Sequence, residues 1–175
     1  MKKTIILFFI SITGFIFSAS AQQFETPVDY HNYIVSEQEK VVNAIIDFRN
    51  HFKTTDSILL ENYAKTKAIL KKSWENIRNM PPYDSNTELR DAAIPLFELY
   101  YSAMNIEYQE MVDFYIKKDF SKNAKERVTL LLNSINEREK KLDYRLVQAQ
   151  SDFAKQYNLD IKKNPTQQKV NQLKK

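Results

Sequence analysis

Glu107, Glu110 and Asp113 fall at steps of three, so a helix would stack them on adjoining turns. Oxygen ligands spaced like this could hold a hard cation such as calcium, and charge at a solvated helix end accounts for them as well. Transition-metal chemistry has less to draw on, because the chain carries two histidines, His31 and His51, and no cysteine. A di-iron bundle needs a Glu-x-x-His on each of two helices, and neither histidine follows a glutamate by three. A zinc site of cysteine and histidine cannot be assembled. Nucleophilic catalysis would need a serine or threonine tied to a histidine base, and no spacing supplies one. The single glycine, Gly14, lies in an N-terminal leader, so there is no glycine-rich phosphate loop either. These residues predict a chain without a catalytic group, a resident metal or a cofactor.

Binding suits the remaining residues better. Tyr101, Met104 and Tyr108 repeat at steps of three and four, in a run that also holds Tyr100 and Tyr115. Such a stripe is ordinarily core. Tyrosine keeps a hydroxyl that needs water or a partner, which also makes the stripe a candidate ligand slot or docking face. Arg138 falls on the apolar line of its own helix. In an antiparallel hairpin turning near residue 119 it would lie opposite Tyr101 and near Glu98. That arrangement gives either a Tyr-Arg-Glu cluster fixing helix register or an anion pocket between helices, unless the side chain snorkels to solvent. Tyr101, Met104, Tyr108 and Arg138 are therefore the candidate ligand-binding residues.

Four amphipathic helices must position them. Thr26-Pro27-Val28-Asp29 combines an N-cap threonine, a first-position proline and a first-turn acid. The helix it opens carries Tyr30, Ile34, Val41, Ile45, Phe48 and Phe52 on one line, with Gln38 in the gap. Thr54-Thr55-Asp56-Ser57 interrupts it. Helix two runs from about Asp56 to Met80, with Leu60, Tyr63, Leu70, Trp74 and Ile77 on one face, and Pro81-Pro82 stops it. Ser85 and Glu88 have capping-box spacing and open helix three, which is apolar around most of its circumference. Pro95 should kink that helix between Asp91 and Pro95. After a break at 117–121, helix four runs to Asn158, a plausible left-handed cap, with Val128, Leu131, Ile135, Arg138, Leu142 and Leu146 along its line. No stretch alternates as a strand does. The expected fold is all-α, an up-down-up-down four-helix bundle over 22–159. Had both unprolined links stayed helical, the chain would instead be a long two-helix hairpin.

The two ends read differently from the body. Lys2-Lys3, an apolar run from Ile5 to Phe17, and Ala19-Ser20-Ala21 make residues 1–21 an expected cleavable signal peptide. The run is too short to span a bilayer comfortably, and no other reaches that length, so no transmembrane span is expected after cleavage. Residues 160–175 are rich in lysine, glutamine and asparagine and read as a basic disordered tail. The whole chain has 26 basic and 22 acidic residues. Over residues 22–161, without the lysines of the two ends, 19 basic residues face 22 acidic ones. Mixed charge at helical spacing is a solvated surface, so no nucleic-acid partner is expected.

Tyr33-Ile34-Val35-Ser36-Glu37-Gln38, Leu89-Arg90-Asp91-Ala92-Ala93 and the Ser-Ala-Gln junction give the chain a further bearing. With its leader, it resembles exported helical-bundle proteins of Bacteroidota and some other Gram-negative bacteria. The resemblance implies a fold and a compartment (periplasm, cell surface or medium) and no site residues. Function is expected to be non-catalytic: a binding or structural module engaging an envelope protein, or a carrier of a hydrophobic or aromatic ligand beside the Tyr/Met stripe.

Overall fold

In the computed structural model, which describes residues 24–160, the first helix begins where Thr26 accepts a hydrogen bond from the Asp29 amide at 3.1 Å. Helix α1 (Pro27–Asn50) ends in a 3-10 turn, His51–Lys53. Thr55 caps α2 (Asp56–Arg78), and Ser121 caps α5 (Lys122–Gln156), accepting from the Ala124 amide at 3.2 Å. Between them lie α3 (Glu88–Asn105) and α4 (Glu107–Ile116), the two halves of the expected third helix. The described residues contain no strand. The expected four-helix bundle is therefore the fold, and the links at 54–55 and 117–121 do reverse the chain. The leader, and the tail beyond Asp160, lie outside the described residues.

Turns without glycine carry left-handed backbone on other residues. Asn158 has φ 53°, as its cap role requires, and Lys118 has φ 55° at the end of α4. Asp84 and Ser85, at φ 47° and 65°, form the centre of a tight turn closed by paired Tyr83–Asn86 backbone bonds. Ser85 is thus committed to the turn and does not cap α3. The Asn86 side chain accepts from the Glu88 amide instead, at 2.8 Å.

The third helix breaks at a point that the sequence did not mark. It passes through Pro95 without interruption and breaks at Ile106, between Asn105 and Glu107. Side chains supply the hydrogen bonds there. The Asn105 amide donates to the Tyr101 carbonyl at 2.7 Å, and the Tyr63 hydroxyl, reaching across from α2, donates to the Met104 carbonyl at 2.7 Å. A buried carbonyl left without that donor is costly. Tyr63→Phe is therefore expected to destabilise the protein by about 1–3 kcal/mol in chemical denaturation. A change within error would show that the break is held by something else.

α3 is the central element, packed against α2 on one side and α5 on the other, while α1 lies on α2. The buried face of α1 is the expected one, Gln38 included. On α2, Tyr63, Leu70 and Ile77 are buried as expected, whereas Leu60 is 45% exposed and Trp74 is half-buried. The inward line runs Leu59, Tyr63, Thr66, Leu70, Ser73, Ile77. It passes through two small hydroxyl residues, and Thr66 donates to the Ala44 carbonyl of α1 at 3.5 Å. On α5 the buried line passes through Glu139 and Asp143, whereas Leu142 is only half-buried. Arg138 stands at the border and pairs with Glu107, not with Glu98 and Tyr101 as the hairpin register suggested. The start of α4 has moved round with the Ile106 break, bringing Glu107 to that position.

Candidate functional site

α1 and α5 close the bundle at one end only. There Tyr30 stacks on Phe153 with ring centroids 5.6 Å apart, Phe153 meets Tyr157 at 4.6 Å, and Asn86 donates to Gln156 at 2.7 Å. Along the rest of their length the two backbones scarcely approach each other. α1 presents Val42, Ile45, Arg49 and, just past its end, Phe52, at steps of three and four. α5 presents Val128, Leu132, Ile135 and Glu139 in the same manner. The seam between these faces holds two adjoining cavities, of about 260 and 460 Å³, floored by α3 and α4. Arg49, Tyr108, Thr129 and Leu132 line both.

The two chambers differ in chemistry. In the smaller, the buried Tyr100 hydroxyl donates to Glu139 Oε1 at 2.9 Å. Burial first, and then the adjacent Glu139 carboxylate, push the Tyr100 pKa well above 10. Asn133 and Asn136 add amides at its mouth. Tyr108, between the chambers, is raised by burial, against which the nearby Arg49 charge acts. The larger chamber is walled by Phe52, Met111, Phe114 and Phe120, with Arg49, Lys125 and Asp119 as its charged groups. Asp119 Oδ1 accepts from the Ser121 amide at 3.1 Å, and bonding to Ser121 holds its pKa below the ordinary value.

Of the four residues singled out by the sequence, Tyr108 lines this seam and the other three lie elsewhere. Met104 is wholly buried core. Tyr101 is turned toward α2 and stacks on Trp74, centroids 5.5 Å apart and planes 15° from parallel. Arg138 is engaged by Glu107. Arg49 and Glu139, which line it too, are not among the residues that the sequence marks. The available signal was that Val42, Ile45 and Arg49 share a helical face, as do Ile135 and Glu139.

The three acids of α4 have separate partners. Glu107 pairs with Arg138. Glu110 takes a two-point bond from Arg127 at 2.7 and 2.9 Å, and Asp113 accepts from Gln109 at 3.0 Å. Among the described residues no three acids, histidines or cysteines are grouped to hold a metal ion. His31 is buried beside Asn32, and burial lowers its pKa. His51 Nδ1 donates to the Asp47 carbonyl at 2.7 Å, closing the last turn of α1. No protein-family model matches the chain, and neither a curated protein nor a solved structure does.

Proposed function

We propose that the protein is an exported, non-catalytic binding module, akin to the helical-bundle envelope proteins it resembles, and that it holds a small hydrophobic ligand in the α1–α5 seam. The observation that carries this reading is the pair of adjoining cavities where a closed bundle would bring two helices together. Their sizes suit small-molecule sites, and the lining has the usual make-up: apolar and aromatic walls with a few polar groups. Export is supported by Lys2-Lys3, the Ile5–Phe17 run and Ala19-Ser20-Ala21. No helix among the described residues is long and apolar enough to cross a membrane.

Native mass spectrometry of protein isolated from its own envelope is the test. The expected spectrum shows a co-purifying small molecule that is lost when the protein is denatured. A bare mass, together with failure to take up an added apolar dye, would leave a docking or structural module as the better reading.

A further inference from the structure

We infer that the seam is built for a long-chain carboxylate, with the carboxylate on Arg49 and the chain in the larger chamber. This rests on the seam being a ligand site, and adds the ligand's chemical class and its orientation.

The charges around the larger chamber carry the argument. Its walls are hydrocarbon and aromatic, yet two cations, Arg49 and Lys125, border it. The one acid there, Asp119, accepts from the Ser121 amide at the start of α5, so two cations face a single carboxylate around the chamber. The mouth therefore favours an anion, while the interior favours an apolar chain. Of the four residues that line both chambers, Arg49 is the charged one, so it marks the point where a head would stop. A guanidinium fork matches a carboxylate with two parallel hydrogen bonds, a geometry a neutral alcohol cannot use.

The smaller chamber sets the direction. Glu139 lies in its lining and already accepts from Tyr100. A ligand carboxylate driven past Arg49 would meet a like charge in a partly desolvated space, which raises its energy. Tyr108, shared by both chambers, keeps a hydroxyl beside Arg49 that can donate to the same head. The head thus rests at the junction and the chain runs toward Phe52, Phe114 and Phe120.

The experiment is displacement of the neutral dye 1-N-phenylnaphthylamine from the purified protein by dodecanoate or dodecanol. Dodecanoate is expected to compete at least about tenfold better than dodecanol, a margin of about 1.4 kcal/mol. Arg49→Gln should remove that preference, read as the ratio of the two competitors on the same protein, and Arg49→Lys should restore part of it. Arg49 is exposed, so neither substitution threatens the core. Equal competition by acid and alcohol, or an unchanged preference in Arg49→Gln, would overturn the head-group assignment and leave the seam as a site for neutral ligands. A dye that does not bind, with a bare native mass, would remove the site and this inference with it.

Discussion

Between pH 10 and 12 the protein is expected to unfold, with its buried tyrosines ionising in the same step. Tyr30 and Tyr63 are almost without solvent exposure, and burial pushes the pKa of each up to about 12. Tyr100, buried against Glu139, lies well above 10 as well. In the unfolded chain a tyrosine ionises near 10. Below that pH the hydroxyls are neutral in both states, and their contribution to stability is complete. Above it the unfolded chain loses protons that the folded chain keeps, so stability falls by about 1.4 kcal/mol per pH unit per tyrosine until the folded pKa is reached. For Tyr30 and Tyr63 together that amounts to about 5 kcal/mol by pH 12, comparable with the whole stability of many domains. Tyr100 extends the loss further. Far-ultraviolet circular dichroism and tyrosinate absorbance, followed together against pH, should show helix loss coinciding with the ionisation of this buried group. Ionisation of all tyrosines near pH 10 with the helices intact would mean that these hydroxyls are not buried as described.

The same hydroxyls show what a linear reading could and could not reach. Thr26-Pro27 and Asn158 act within a few residues of themselves, through their own side chain or backbone, and their roles as caps were legible. So was the α1 stripe, where apolar side chains recur at helical spacing. On α2 the sequence finds Tyr63, Leu70 and Ile77 but misses Thr66 and Ser73, whose small size at a helix contact outweighs their polarity. The break at Ile106 is a tertiary event: the Tyr63 hydroxyl that donates to the freed Met104 carbonyl stands 41 residues away. Pro95 is a local signal by comparison, and the helix runs through it unbroken.

The seam was out of reach for a related reason. Each of its walls is an ordinary amphipathic face, and nothing in Val42, Ile45 and Arg49 or in Leu132, Ile135 and Glu139 says that the two faces will stand apart. Their separation follows from α3 packing against α2 and α5 at once, which leaves α1 tied to α2 and to the ring cluster around Phe153. Arg138 was similarly misplaced because its partner depends on the turn of α4 after the break. An exposed arginine pairs with whichever carboxylate the neighbouring backbone brings within reach, and register alone does not fix that.

Met104→Ala separates the stripe seen in the sequence from the site seen in the fold. Met104 is 0% exposed beneath the α3–α4 break, so truncation removes buried methylene groups and leaves a void that its neighbours can only partly fill. A cost of about 2–5 kcal/mol is expected, read from the shift of the denaturation midpoint at constant slope. Because Met104 lines neither chamber, the folded variant should bind the neutral dye as the parent does. Tyr108, four residues on, has the opposite character: it is shared by both chambers and its loss should register in binding. If Met104→Ala cost less than about 1 kcal/mol while weakening the dye, the methionine would be facing an open slot, and the ligand would belong between α3 and α5 rather than between α1 and α5. A large stability loss with unchanged dye affinity places Met104 among the groups that hold α3 at the centre of the bundle, and the seam depends on α3 staying there.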